Sequence, residues 1–193
     1  SALDARIEAG AFVKPIQILA RLHPKYPDSS EKLTLKHIVL DRPGTHLSKA
    51  REFSVDMGVG NTYAWTFTDR DLQHLVDSLR FSDVVVNTAS TLTLDAASLD
   101  KPVVLVAYDG HHTPRPVDSI ARVYEREHFA HVVDTGAAPL VKSDDELVAA
   151  INQFLLNPEH LRKERDTLRT QLLYKVDGKA SERTAEAVLS FLK

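Results

Sequence analysis

Short apolar runs rich in branched residues alternate with helical patterns along this chain. Such runs are typical of strands that are buried on both faces of a parallel sheet. Weaker strand patterns cover residues 61–67 and 138–143. The stronger runs are IQILARL at 16–22, KHIVLD at 36–41, DVVVN at 83–87 and PVVLVAY at 102–108.

Helical patterns fill most of the remaining chain. Helices are predicted over residues 3–12, 69–81 and 92–99, and the second of them carries a continuous apolar stripe. After Ser143, which has the character of a helix N-cap, the pattern is helical to the end of the chain. Residues 44–60 have no clear period and are predicted to form a loop.

This alternation predicts an α/β fold, namely a doubly wound, mostly parallel open sheet of about six strands with right-handed crossovers and a helical C-terminus. We expect residues 1–193 to form a single domain. In such sheets, ligands bind beyond the carboxyl ends of the strands, where loops lead into helix N-termini. The candidate site residues are therefore those that follow the predicted strands.

Composition narrows the possible functions. The chain has 193 residues, of which 43% are hydrophobic, so it is long enough to bury a sizeable core. A net charge of -3 provides no field that would attract nucleic acid or an anionic membrane. No segment approaches the roughly 18 to 20 apolar residues of a membrane span, and the first residues given lack the basic and apolar regions of a signal peptide. The absence of cysteine excludes thiolate metal sites. We expect a cytoplasmic protein without a nucleic-acid partner.

The turn NTAST, which ends at Thr91, separates a predicted strand from the next helix. A break here leaves backbone N–H groups free at the start of the helix, and Ser90, Thr91 and Thr93 add hydroxyl donors that suit a phosphate. Asp95, about one turn into the helix, is placed to accept hydrogen bonds from sugar hydroxyls. A nucleoside diphosphate would use both features. The alternative is that Ser90 caps the helix and Asp95 balances its dipole.

The segment RLHP places two further candidates at the end of the first predicted strand. Arg21 and His23 would offer a cation and an imidazole to a phosphate, whereas the alternative is a turn set by Pro24 and Pro27. Arg42 follows the second predicted strand and is interpreted as a solvated charge rather than a second phosphate contact.

The remaining candidates are aromatic or lie after the strand at 102–108. Trp65 and Phe67 precede a helix and would stack on a base, with burial in the core as the alternative. Asp109 and Gly110 are predicted to line the ligand cleft. The histidines of YDGHHT lack a third ligand at fixed spacing, so no metal site is predicted. Nucleophile-elbow, dinucleotide and Walker motifs are absent, and no catalytic residue is singled out.

Three segments carry a resemblance to a known family. They are RLHPKYPD at 21–28, SDVVVNTASTLTLDAASLDKPVVLVAYDG at 82–110 and DGKASERTAEAVLSFL at 177–192. The chain resembles the C-terminal domain of GT-B fold enzymes. It is most similar to bacterial surface-carbohydrate glycosyltransferases and CDP-glycerol glycerophosphotransferase-like proteins, and more distantly to UDP-N-acetylglucosamine 2-epimerases.

The resemblance implies a Rossmann-like domain that binds the nucleotide of a donor across a cleft from a second domain. It implies that Ser90 and Thr91 bind the pyrophosphate and that Asp95 binds the ribose. Relatives often have glutamate at that position and glycine in place of Lys101. It also implies an acceptor domain before Ser1, which would make this chain the C-terminal half of a two-domain protein and would provide any peripheral membrane contact.

Three functions remain open at this point. The first is the donor-binding domain of a GT-B glycosyltransferase or glycerophosphotransferase of surface-carbohydrate biosynthesis. Such a domain takes a nucleotide sugar or a CDP-glycerol type donor as substrate, needs no cofactor, and is expected to be inactive in isolation. The second is an epimerase-like domain, and the third is a non-catalytic module that binds a nucleotide or a protein partner.

Overall fold

The structure is a computed structural model that describes residues 2–21, 35–41, 68–110 and 115–192. The chain divides into two compact units, residues 1–78 and residues 79–193. All strand pairs in the described part are parallel, which confirms the predicted α/β class. The described strands lie in one sheet of two and one sheet of three, so a single sheet of about six strands stays a prediction.

The first unit contains a pair of parallel strands and two helices. Its elements are α1 (Ala2–Glu8), β1 (Ile18–Arg21), β2 (Ile38–Asp41) and most of α2 (Asp69–Arg80). β1 and β2 run in register over four residues, so that Arg21 lies opposite Asp41 where both strands end. None of the described residues in this unit is fully buried.

Helix α1 is shorter than the predicted span that ended at Phe12. Gly10 adopts a left-handed conformation with a φ of 69°, which glycine tolerates better than other residues. Its N–H donates to the carbonyl of Ile7, and the N–H of Ala11 donates to the carbonyl of Arg6, both at 3.0 Å. These two bonds form a Schellman motif, which explains why the helix stops here.

Helix α1 is joined to the segment before β2 through Asp4. The carboxylate of Asp4 accepts hydrogen bonds from the backbone N–H groups of His37 at 2.9 Å and Lys36 at 3.3 Å. The bond from His37 is the main reason that the pKa of Asp4 is lowered. The side chain of Lys36 also pairs with Glu8 at 3.0 Å, so that two residues of α1 contact this segment.

The second unit contains a three-stranded sheet in the order β3-β4-β5 and most of the helices. Two 3-10 turns follow β4, and a π-helical turn follows α6. The strands and helices are β3 (Val85–Asn87), α3 (Leu92–Ser98), β4 (Val103–Val106), α4 (Glu127–Asp134), β5 (Leu140–Val141), α5 (Asp144–Leu156), α6 (Arg162–Leu168) and α7 (Ala180–Ser190).

The core lies in the second unit. Its most deeply buried side chains include Val104 and Leu105 of β4, Phe154 of α5 and Leu168 of α6. As predicted, Ser143 caps α5, since its Oγ accepts a hydrogen bond from a backbone N–H in the first turn of that helix. No helix in the described ranges is both long and apolar enough to cross a membrane.

A buried arginine fastens α6 to the turn between α3 and β4. The Arg165 side chain is 3% exposed, and its Nε donates to Oδ1 of Asp100 at 2.9 Å. Its two terminal nitrogens donate to the carbonyl oxygens of His160 at 2.6 Å and Pro158 at 3.1 Å. The guanidinium therefore has both a charge partner and hydrogen bonds, which a buried cation requires.

Candidate functional site

The predicted phosphate turn lies between β3 and α3 in the second unit. The Oγ of Ser90 accepts a hydrogen bond from the N–H of Leu92 at 3.2 Å, and the carbonyl of Ser90 accepts one from Thr93 at 3.0 Å. The carbonyl of Thr91 accepts from Leu94 at 2.9 Å. The first backbone N–H groups of α3 are therefore satisfied within the chain, although the N-cap residue is Thr91 and not Ser90.

Other donors of the same turn are not used. In the part of the chain that the structure describes, the N–H groups of Ser90 and Thr91 make no hydrogen bond. Thr91 is exposed, and its side chain makes no cap. The Nδ2 of Asn87, at the end of β3, is buried and has no hydrogen-bond partner among the described residues. Unpaired backbone and amide donors that lie close together along the chain are what an oxyanion needs.

Thr93 does not contribute its hydroxyl to this turn, contrary to the expectation from the sequence. Its side chain is 1% exposed, and its Oγ1 donates to Oδ1 of Asn87 at 3.1 Å. The hydroxyl therefore joins the first turn of α3 to the end of β3. It holds the turn in place and is not available to a ligand.

Asp95 lies one turn into α3, as predicted. It is exposed as a residue, yet neighbouring atoms remove enough water to raise the pKa of its carboxyl above the usual value. Its carboxylate makes no hydrogen bond to any residue that the structure describes. A partly desolvated acceptor without a partner is suited to ligand hydroxyl groups.

Tyr124 connects this turn with the neighbouring strand, a role that the sequence did not indicate. Its hydroxyl donates to the carbonyl oxygen of Val106, the last residue of β4, at 2.7 Å. Burial raises the pKa of Tyr124 to about 12, and a hydrogen bond from the backbone of Ala89 opposes this rise. The hydroxyl of Tyr124 is thus bonded to the end of β4 and lies next to the backbone of the turn after β3.

The two residues predicted to line the cleft after β4 have different environments. The carboxylate of Asp109 accepts from the N–H of Ile120 at 2.9 Å and from the hydroxyl of Ser119 at 2.7 Å, so it fixes the start of a 3-10 turn. Gly110 has a φ of 62° and open space around it. Beside them, the hydroxyl of Tyr108 donates to Asp144 at 2.5 Å.

Arg21 lies in the first unit and is paired with a carboxylate. Its Nη1 donates to Oδ2 of Asp41 at 2.7 Å, while Nε2 of His74 lies 3.1 Å from Oδ1 of the same side chain. Asp41 and His74 were not among the predicted site residues. The available signal was that Asp41 ends the predicted strand at 36–41, just as Arg21 lies near the end of the predicted strand at 16–22.

Several predicted residues lie outside the described part of the chain, and their roles stay predictions. Within the described residues, no group of three or more His, Asp or Glu side chains could hold a metal ion. The residues outside are His23, Arg42, Trp65, Phe67, His111 and His112.

Comparison with known proteins supports the resemblance noted in the sequence. The family described as CDP-Glycerol:Poly(glycerophosphate) glycerophosphotransferase matches residues 5–190. A teichoic acid poly(ribitol-phosphate) polymerase of Bacillus spizizenii (strain ATCC 23059 / NRRL B-14472 / W23) is 25% identical over 135 residues, which are 69% of this chain. The match covers 20% of that relative, so the chain corresponds to a small part of it. No solved structure matches the chain. Because the family match covers nearly the whole sequence, this chain belongs to the CDP-glycerol:poly(glycerophosphate) glycerophosphotransferase family.

Proposed function

We propose that this chain is the part of a cytoplasmic GT-B transferase that binds the diphosphate of a CDP-linked polyol donor. The transferase would act in the synthesis of a surface polymer. The acceptor and the catalytic base are supplied by another domain of that transferase. The family match and the polymerase similarity support the class of reaction. Within this proposal, Arg21 and His23 remain candidate phosphate contacts.

The observation that carries the proposal is the set of unpaired groups between β3 and α3. The N–H groups of Ser90 and Thr91 and the hydroxyl of Thr91 would donate to phosphate oxygens. Asp95, one turn further along α3, would accept from the ribose hydroxyls. Donors and acceptor thus follow one another along the chain in the order in which a nucleoside diphosphate would use them.

The turn would act on the leaving group of the transfer. An acceptor hydroxyl oxygen forms a bond to the distal phosphorus of the donor as the bond to the bridging oxygen breaks. CMP leaves with that bonding pair, and the base takes the acceptor proton. Donors of a turn that Thr93 already joins to the end of β3 would stabilise the charge that develops on the departing phosphate without reorganising.

Titration calorimetry with CDP and cytidine tests the binding step. We expect the chain alone to bind CDP weakly, because a cleft with one side leaves the ligand partly in water, and to bind cytidine more weakly still. A product assay with CDP-glycerol and a polyol-phosphate acceptor should show no transfer by the chain alone. Failure to bind CDP, or sustained transfer by this chain, would contradict the proposal.

A further inference from the structure

An open pocket lies where α6 passes into the π-helical turn Arg169–Leu173. It has a volume of about 330 Å³, which is at the small end of the range for small-molecule sites. All of its lining residues belong to the second unit, and none of them was a candidate from the sequence. They are Asp166, Arg169, Thr170, Tyr174 and Val176.

The backbone around this pocket is irregular at two consecutive points. The π-helical turn is a rare conformation that often occurs at functional sites. Tyr174, which follows it, has a φ of 59°, in the left-handed region that an aromatic residue seldom adopts. Strain of this kind persists only where the surrounding structure holds it, and it clusters at ligand sites. The irregular turn brings Arg169, Thr170 and Tyr174 around one pocket.

The guanidinium of Arg169 is poorly satisfied within the protein. Its Nε is buried and has no hydrogen-bond partner among the described residues. Its Nη1 donates to Oδ1 of Asp166 at 3.4 Å, which is long for a bond between charged groups. A buried donor without a partner indicates an acceptor from outside the chain, either water or a ligand. A guanidinium presents its donors as a fork that fits two oxygens of a phosphate.

Thr170 and Asp166 offer acceptors on the same pocket. The Oγ1 of Thr170 donates to the carbonyl of Asp166 at 2.9 Å, so the hydroxyl oxygen can still accept a hydrogen bond. The side chain of Asp166 is 58% exposed, and its contact with Arg169 uses one of its two carboxylate oxygens. Both residues are therefore suited to hydroxyl groups of a ligand.

Two cations lie close to the ring of Tyr174. The Nζ of Lys175 is 5.1 Å from the ring centroid, and the Cζ of Arg183 is 5.8 Å from it. Nη1 of Arg183 lies 2.9 Å from each carboxylate oxygen of Asp177, so this pair is neutral. Lys175 has no carboxylate partner among the described residues. Its charge is left to attract an anion to this end of the pocket.

This pocket and the predicted ribose contact lie on different faces of α3. The π-helical turn packs against α3, and Thr93 and Ala97 line a small void together with Leu168 of α6. The face of α3 that carries these two residues is therefore turned towards α6. Asp95 is two positions from each of them, which places it about 200° around the helix. A donor held by Asp95 would leave the pocket to another ligand.

We propose that this pocket binds one phosphate unit of a polyol-phosphate chain, away from the end of the chain that reacts. The inference rests on the proposed function, in which the transferase acts in the synthesis of a surface polymer. Arg169 donates to the phosphate oxygens, and Lys175 adds its charge. Thr170 and Asp166 accept from the polyol hydroxyls. A phosphodiester between two polyols carries a single negative charge and has hydroxyls close by, which matches this set of side chains.

Titration calorimetry of the chain with a synthetic hexamer of glycerol phosphate measures this binding. Arg169→Gln removes the guanidinium, and Lys175→Gln removes the exposed cation beside the ring. Lys163→Gln removes an exposed cation of α6 that does not line the pocket, and it is the matched control. Circular dichroism establishes which variants are folded.

We expect wild type and Lys163→Gln to bind the hexamer equally well, and Arg169→Gln to bind it about tenfold more weakly. Lys175→Gln should weaken binding by a smaller factor, because its side chain is exposed to solvent. Wild-type affinity in the folded Arg169→Gln variant would overturn the proposal, as would the absence of hexamer binding by wild type. If Arg169→Gln does not fold, the comparison of Lys175→Gln with Lys163→Gln decides in its place.

Two further titrations identify the source of the phosphate and separate this proposal from the proposed function. Glycerol 3-phosphate should bind more weakly than the hexamer, and equal or tighter binding would overturn the assignment to a polymer. CDP should bind equally well to Arg169→Gln and to wild type, and a loss in the variant would place the donor in the pocket and overturn the proposal. Failure of wild type to bind CDP contradicts the proposed function but not Arg169-dependent binding of the hexamer. Either proposal can therefore fail while the other stands.

Discussion

The hydroxyl of Tyr124 donates a hydrogen bond to the carbonyl oxygen of Val106 at 2.7 Å and lies next to the backbone of Ala89. One side chain from a 3-10 turn thereby holds the end of β4 and packs beside the turn that follows β3. Because the ring is buried, this bond replaces contacts that water would otherwise make.

Tyr124→Phe should lower the free energy of unfolding by about 0.5 to 1.5 kcal/mol, the usual contribution of one buried hydrogen bond. Chemical denaturation followed by circular dichroism measures this loss. Tyr174→Phe is the matched control because that side chain is 71% exposed. Equal losses in the two variants would show that the bond to Val106 does not support the fold.

Stability should fall in alkali because of two tyrosines. Burial, reinforced by the bond to Asp144, raises the pKa of Tyr108, and burial raises that of Tyr124 to about 12. Both hydroxyls stay protonated in the folded state above about pH 10, where the unfolded chain releases these protons. The contribution of these two hydroxyls to the free energy of unfolding is thus complete below about pH 10. It is lost as the pH rises towards the pKa values of the folded state.

The expected slope is below about 1.4 kcal/mol per pH unit for each tyrosine, which is the limit that one proton per residue sets. Denaturation curves between about pH 9 and pH 11.5 measure it. Tyr108→Phe should flatten the curve. A wild-type curve without a slope in this range would contradict the account of both residues.

Loss of the partner of Arg165 should destabilise the second unit. Asp100→Ala leaves a buried guanidinium with only backbone acceptors, and we expect a loss of roughly 1.5 to 3 kcal/mol. Asp166→Ala, which removes an exposed partner of Arg169, should change stability by less than about 1 kcal/mol. Thermal unfolding of both variants gives the comparison, and similar midpoints would argue against a structural role for Asp100.

The elements that the sequence predicted are those with local signals. Branched apolar runs gave β1 to β4, and the serine cap at Ser143 marked the start of α5. The early end of α1 also had a local signal in Gly10, but the apolar pattern continued past it to Phe12. Local patterns therefore located the elements better than their ends.

The contacts that shape the site were not predictable in the same way. Tyr124 and Val106 are 18 residues apart, and Arg165 and Asp100 are 65 apart. No periodicity in the sequence encodes a pairing between distant positions. Such a pairing depends on how the strands and turns pack. For the same reason the sequence placed Thr93 in the phosphate turn as a donor, whereas packing directs its hydroxyl to Asn87.

Asp95→Ala should weaken CDP binding by roughly 1 to 3 kcal/mol if the carboxylate accepts from the ribose hydroxyls. It should not lower the free energy of unfolding, because desolvation raises the pKa of Asp95 and its ionised form has no hydrogen-bond partner in the described chain. Asp134→Ala, at an exposed position in α4, is the control. If the Asp95→Ala variant binds CDP as tightly as wild type does, Asp95 only balances the dipole of α3.

The unpaired N–H of Thr91 allows the phosphate turn itself to be tested. Thr91 has a φ of -60°, which proline also adopts, so Thr91→Pro removes the N–H and the hydroxyl without requiring a new φ. Thr91→Val removes only the hydroxyl and serves as its control. Circular dichroism establishes that both variants remain folded.

Calorimetric titration of CDP into wild type and these two variants tests the central claim most directly. We expect Thr91→Pro to weaken binding at least about tenfold, because a hydrogen bond to a charged phosphate is lost, and Thr91→Val to weaken it less. If the folded Thr91→Pro variant binds CDP as tightly as wild type does, the turn between β3 and α3 does not hold the phosphate.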